Sequence, residues 1–178
     1  MPEQVTKPDV LRWEGSLFCG LDLSLTGTGV CVLDSAGAPV AWATVGSKLK
    51  RSSSVREKVQ RLIDIASCIM DVVGEYDPAP RVAIEGYAFA APGAQNDLGE
   101  LHGVVKSQLW LGLAVEPEII PPTQARKVVI GNGRAKKNDV QAWLQGRAIR
   151  CSNHNEADAY VVAECLRTRH VDKGEPDG

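Results

Sequence analysis

The sequence predicts an α/β fold: a mixed five-stranded sheet, three antiparallel hairpin strands plus two crossover strands, flanked by helices. Three observations carry this reading. Three short apolar segments, Leu17 to Leu23, Gly29 to Leu33 and Val40 to Val45, are separated only by turn-forming stretches, TGTG and DSAGAP, the pattern of consecutive hairpins. Ser54 opens a long amphipathic helical pattern. Two further apolar strands, Arg81 to Glu85 and Glu118 to Ile120, are each reached through a helical segment, which is how parallel crossover strands are connected.

Residues 1–15 are polar and broken by Pro2, Pro8 and Gly15, and residues 171–178 read VDKGEPDG, so both are expected to be flexible tails around a domain of residues 16–170. Ser54-Val55-Arg56-Glu57 has capping-box form. Val55, Val59, Leu62, Ile63, Ala66, Ile69 and Val73 then recur at helical spacing up to Gly74. Leu98, Leu101, Val105, Leu109 and Leu113 mark a second long helix. Pro121-Pro122 begins a third, because proline suits the first helical turn. After the break at Gly131-Asn132-Gly133, helical pieces are expected at Lys137 to Leu144 and from about Asn155 to Thr168.

At 178 residues the chain is long enough for one domain with a substantial core, and its 44% hydrophobic and 24% charged residues are those of an ordinary folded protein. No run approaches the roughly 18 apolar residues of a membrane span, and MPEQVTKPDV has no basic-then-apolar leader pattern, so neither membrane insertion nor export is expected. The five cysteines Cys19, Cys31, Cys68, Cys151 and Cys165 are widely spaced with no C-x-x-C. They read as small buried hydrophobes in a reducing cytoplasm rather than as a disulfide or zinc framework. A net charge of −2 argues against a protein that coats nucleic acid through overall charge, so local basic patches are what matter.

Three carboxylates stand at positions from which chemistry is done. Asp22 closes the first strand, Glu85 closes the unbroken apolar run Val82-Ala83-Ile84, and Asp158 falls in the first turn of the last helix. Singly, each has an ordinary explanation, since Asp favours strand ends and helix N-termini. Carboxylates converging from two strands and a helix repel one another unless cations sit between them, which is the design of an oxygen-ligand Mg²⁺ site.

The motifs Gly20-Leu21-Asp22-Leu23-Ser24, Ala83-Ile84-Glu85-Gly86, Gly131-Asn132-Gly133-Arg134-Ala135-Lys136-Lys137 and Asn155-Glu156-Ala157-Asp158-Ala159 resemble, in order and spacing, the RuvC family of Holliday-junction resolvases. The resemblance spans about Phe18 to Arg169 and looks closest to phage-type members. It implies an RNase H-like fold, a homodimer, and Mg²⁺-dependent nicking of paired strands at a four-way DNA junction, in the cytoplasm of a bacterium or a phage-infected host. Carried over by position, Asp22, Glu85 and Asp158 would ligate two Mg²⁺ ions, with Mn²⁺ as a substitute, in two-metal phosphodiester hydrolysis.

One position departs from the family pattern, which usually has Asp or His three residues before the last ligand, where this chain has Asn155. An amide oxygen can ligate Mg²⁺ but brings no charge. Asn155 is therefore expected as a weak fourth ligand. Glu156, about 100° away around the helix, and His154, just before the helix proper, remain alternatives, as does a degraded site.

Between Pro121 and Arg150 come Arg126, Lys127, Arg134, Lys136, Lys137, Arg147 and Arg150 against one acid, Asp139, while Lys48, Lys50, Arg51, Arg56, Lys58 and Arg61 form a second cluster. Both are candidate phosphate tracks, except that Arg147 and Arg150 read as a solvated helix face. Arg126 and Lys137 match family positions that are basic and close to the catalytic centre, and Lys137 directly follows a glycine loop able to approach DNA. Lys127, Arg134 and Lys136 are expected as DNA contacts beside them. Tyr87 and Phe89, in a small-residue loop after the Glu85 strand, suit stacking on an unpaired base, or equally a cap on the core. Gly99, Gly103 and Gly112 in the second long helix suggest close packing against the sheet or a second subunit.

Competing readings remain. Asp22 to Gly29 also resembles the phosphate-binding hairpin of the actin and sugar-kinase superfamily, but those proteins enclose ATP between two such domains and this chain supplies one. The same fold acting on other branched DNA or structured RNA, or a non-catalytic DNA-binding module, is the alternative function.

Overall fold

The computed structural model describes residues 10–49, 52–86 and 94–171. Its elements in chain order are β1 (Leu11–Arg12), β2 (Phe18–Asp22), β3 (Thr28–Leu33), β4 (Pro39–Val45), α1 (Val55–Val73), β5 (Tyr76–Asp77), β6 (Arg81–Glu85), α2 (Ala94–Leu113), β7 (Glu118–Ile120), α3 (Pro122–Ile130), α4 (Lys137–Gln145) and α5 (His154–Val171). The main sheet has five strands in the order β4-β3-β2-β6-β7. β2, β3 and β4 pair antiparallel as hairpins, whereas β6 and β7 join in parallel, as the crossover argument requires.

Strand alternation divides this sheet into two packed faces. Cys19, Leu21, Val30, Val32, Val82 and Ile84 face α1 and α2. Phe18, Cys31, Leu33, Ala83 and Ile120 face α3, α4 and α5. Helix α5 runs against the second face and is buried from Glu156 through Ala163, with Cys165 and Leu166 beyond. It lies close to the strands because the strands give way: a β-carbon on Gly20 would overlap the Ala159 carbonyl, and one on Gly29 would overlap the Asn155 carbonyl.

The long helices form for the expected reasons, with one difference of face. Ser54 accepts from Glu57 N–H while the Glu57 carboxylate accepts from Ser54 N–H, and the helix ends at Gly74. Leu62, Ile65, Ala66, Ile69 and Val73 of α1 are buried, whereas Val55, Val59 and Ile63, expected on the same apolar face, are exposed. They form an i, i+4, i+8 stripe displaced from the sheet-facing one. Cys68 is likewise exposed, contrary to expectation, while Cys19, Cys31 and Cys165 are buried as expected and Cys151 partly so. Gly131, with φ of 82°, ends α3 in the left-handed conformation that glycine favours.

Before Ser16, where no element was expected, Leu11–Arg12 pairs in parallel with Tyr76–Asp77. Trp13 meets Tyr76 edge-on at 6.2 Å. A two-residue strand is too short to show any periodicity.

Candidate active site

The α5 face of the sheet carries the first two carboxylates because β2 and β6 are in register. Gly20 pairs with Ala83 and Leu21 with Ile84, so Asp22 and Glu85 follow side by side as the strands end. Both emerge on the face that Gly20 and Ala83 present to α5. Asp158, one turn into α5, comes down on the same place and is only 4% exposed.

Asp22 and Glu85 stand side by side at the ends of paired strands, close enough for each to alter the other's acidity. Burial pushes the Asp22 carboxyl above its ordinary value, aided by the charge of Asp158 and opposed by the Glu85 hydrogen bond and by Lys137 and Arg126. Glu85 is pushed up further, first by burial and then by the charges of Asp22 and Asp158. Buried together, the two acids resist full ionisation, and a cation would relieve that cost.

The third carboxylate is held by two cations. Arg126 Nη2 donates to Asp158 Oδ1 at 3.1 Å, and Lys137 Nζ lies 3.6 Å from Oδ2. Arg126 also donates through Nη1 to the Ala135 carbonyl at 3.2 Å, so one guanidinium ties α3, the α3–α4 loop and α5 together. Lys137 stands at the start of α4 with its side chain 58% exposed, so its ammonium reaches both the carboxylate and solvent. Among the described residues, no three acidic, histidine or cysteine side chains are grouped so as to hold a metal ion as placed. The donor set nevertheless fits a hard divalent cation: all oxygen, more anionic than its surroundings tolerate, and open on the solvent side at Lys137.

Other predicted site residues divide. Asn155 lies in the first turn of α5, three residues before Asp158, with its amide over the β2–β3 turn, where a β-carbon on Gly27 would come within 2.6 Å of Nδ2. Glu156 is directed away from the carboxylates: it accepts from Ser152 N–H at 2.6 Å and from the Thr44 hydroxyl at 3.0 Å. His154 is exposed at the first residue of the helix. Lys127 is exposed and donates to the Gly131 carbonyl at 3.2 Å, while Arg134 and Lys136 are exposed on the loop leading to Lys137. Tyr87 and Phe89 lie outside the described residues, as do Lys50 and Arg51.

Sequence reasoning missed the group that fixes the start of α5. Asn153 Oδ1 accepts from the N–H groups of Asn155 and Glu156, and Asn153 Nδ2 donates to Thr44 Oγ1 at 2.8 Å. The signal was present, since Asn153-His154-Asn155-Glu156 has the N-x-x-E spacing of a capping motif.

Comparison with known proteins bears on the family and the fold. The family model for crossover junction endodeoxyribonuclease RuvC matches residues 18–165. The crossover junction endodeoxyribonuclease RuvC of Corynebacterium diphtheriae is 29% identical over 153 residues, covering 82% of this chain and 90% of that protein. The protein of the same name from Francisella philomiragia is 31% identical over 108 residues, 60% of this chain and 63% of that one. Among solved structures, Thermus thermophilus RuvC superimposes with a TM-score of 0.69 at 18% identity, over 88% of this chain and 96% of that one. Thermus thermophilus RuvC in complex with Holliday junction substrate gives 0.71 at 16% identity, over 87% and 96%, and these structures share the α/β fold with its mixed sheet. With most of its length matched by the family model, the chain belongs to the RuvC family of crossover junction endodeoxyribonucleases.

Proposed function

We propose that this chain nicks paired strands of four-way DNA junctions by hydrolysis of the phosphodiester bond, with Asp22, Glu85 and Asp158 as its metal ligands. The observation that carries the reading is the placement of Asp22 and Glu85 side by side at the ends of paired strands with the buried Asp158 coming down on them from α5, because three converging acids invite a cation. Bound there, two Mg²⁺ ions, or Mn²⁺ in their place, would supply an activated water and counter-charge for the leaving oxygen. The residues of the chain do the rest. Asp22 ends the central strand, beside Glu85 of the neighbouring strand. Arg126 holds Asp158 in place, and Lys137 offers its exposed ammonium to the phosphate under attack. Asn155 supplies a neutral fourth oxygen, and Lys127, Arg134 and Lys136 line the approach as phosphate contacts.

Two strands to be cut call for two sites, hence two copies of the chain. Helix α2 supports this: a β-carbon on Gly99 or Gly103 would meet nothing within 4 Å, so these glycines open outward, whereas Gly112 packs on Met70 of α1. The exposed stripe Val55, Val59 and Ile63 of α1 lies next to that opening, across a groove of about 740 Å³ lined also by Gly103 and Val104.

The test is incubation with labelled four-way junction, linear duplex and RNA duplex, with Mg²⁺ and with chelator. Paired nicks in the four-way junction only, dependent on Mg²⁺ and absent from Asp22→Asn, are expected. Equal cleavage of linear duplex, or cleavage that survives chelation, would refute the reading.

A further inference from the structure

Residues of three strands stand in one row beneath the start of α5. Thr44 of β4 pairs with Gly29 of β3, and Gly29 pairs with Asp22 of β2. Residues opposite one another in a ladder project to the same face, so Thr44 and Asp22 both face α5 with only a glycine between them. The first turn of α5 rests on that glycine, backbone against backbone. Asp158 is carried by this turn, so its distance from Asp22 depends on how the turn sits on the row.

The turn is fastened at one end of the row, on Thr44. Its hydroxyl donates to Glu156 Oε1 and accepts from Asn153 Nδ2, at 3.0 and 2.8 Å. The Glu156 carboxylate, 6% exposed, returns to Ser152 N–H, and Asn153 closes the ring by capping the N–H groups of Asn155 and Glu156. Thr44 is itself exposed on the edge strand, so the ring is half-buried: a buried carboxylate with both oxygens engaged, and a cap residue bound to the same hydroxyl, which together hold the turn at more points than a lone cap does. None of these three side chains touches the Asp22–Glu85 pair.

We propose that Thr44, Asn153 and Glu156 are positioning residues for the metal site, a clasp that sets α5 over the sheet so that Asp158 meets Asp22 and Glu85. The inference rests on the metal reading above. Outer partners that orient metal-ligating groups typically contribute ~10–100-fold to affinity or activity, and a clasp acting through one helical turn belongs at the lower end.

Thr44→Val removes the hydroxyl with little change of shape, and Thr44→Ser keeps it. Calorimetric titration of Mg²⁺ alone into DNA-free protein reads the site directly, and four-way junction cleavage against Mg²⁺ concentration reads it in action. Thr44→Val should bind Mg²⁺ roughly 10-fold more weakly and raise the half-saturating Mg²⁺ for cleavage by the same factor. Its melting temperature should fall modestly, leaving the protein folded at the titration temperature, its cation-free junction binding should be unchanged, and Thr44→Ser should behave as wild type. Glu156→Gln, which keeps one acceptor oxygen, should fall between the two. Wild-type Mg²⁺ binding and cleavage by Thr44→Val would overturn the clasp. Asp22→Asn distinguishes the two levels: if it takes up Mg²⁺ like the wild type, the metal reading itself is wrong, whereas loss with Asp22→Asn but not with Thr44→Val removes the clasp alone.

Discussion

Gly29 of β3 and Asn155 of α5 meet backbone to backbone, with no room between them for a β-carbon. The contact makes the proposed site geometry possible, because it lets the first turn of α5 descend to the level at which Asp22 leaves the sheet. A methyl group there must lift the helix or bend the strand, and overpacking of this kind costs about 1–3 kcal/mol. Gly29→Ala should therefore lower the melting temperature and lose Mg²⁺ binding out of proportion to that loss. An alanine variant with wild-type stability and Mg²⁺ affinity would show that the close approach has no bearing on the site.

The Asp22–Glu85 pair is a stability liability in the metal-free protein. Both carboxyls are raised, chiefly by burial, with the charge of Asp158 adding to each and that of Asp22 adding at Glu85, so the folded state binds a proton more tightly than the unfolded chain does. Their contribution is most favourable below the unfolded carboxylate range of about 4 and is lost as pH rises through the raised folded values. Metal-free protein should accordingly become less stable between mildly acidic and alkaline pH through this pair, and Asp22→Asn should flatten that slope and melt higher at neutral pH. Added Mg²⁺ should restore the wild type and leave Asp22→Asn unmoved. Thermal melts across pH, with Mg²⁺ and with chelator, check both statements.

Arg126 and Lys137 both reach Asp158, but from different environments. The Arg126 side chain is 20% exposed and bridges two elements, whereas Lys137 is 58% exposed and makes one long contact. Arg126→Ala strips a buried carboxylate of its nearer partner and should cost roughly 2–3 kcal/mol as well as cleavage. Lys137→Ala should leave stability nearly unchanged, because exposed pairs contribute about 0–1 kcal/mol, yet slow cleavage at least tenfold. Arg150→Ala, on an exposed residue outside the site, should do neither. Equal cleavage losses for Lys137→Ala and Arg150→Ala would mean that only total charge matters.

Strand and helix positions were legible because each rests on local chemistry: turn residues after Leu23 and Leu33, the capping box at Ser54, prolines at 121 and 122. The carboxylates were legible for a related reason, since an acid ending an apolar strand has few structural uses. What was not legible depended on tertiary packing. Val55, Val59 and Ile63 share helical periodicity with Leu62 and Ile69, and only the placement of α2 decides which stripe is covered. Thr44 carries no local signal at all, because its role exists only once β4 is beside α5. Glu156 was legible only as an alternative ligand, and its engagement with Ser152 and Thr44 depends on tertiary placement that the sequence does not display.

That arrangement sharpens the question of the fourth ligand. Glu156 is committed to the clasp and His154 is exposed, whereas Asn155 sits three residues before Asp158 on the same helical face. An amide in place of a carboxylate leaves the site one charge less negative, so Mg²⁺ is held with less Coulombic attraction and half-saturation should need a comparatively high concentration. Asn155→Asp should lower the Mg²⁺ needed for half-maximal cleavage severalfold, and Asn155→Ala should raise it and slow the reaction. Because Asn155 also lies against Gly27, a melt of Asn155→Ala separates the two roles: the ligand role predicts a change in Mg²⁺ dependence at nearly constant stability, and a packing role predicts the reverse. Unchanged Mg²⁺ dependence in both variants would leave Asp22, Glu85 and Asp158 as the complete ligand set.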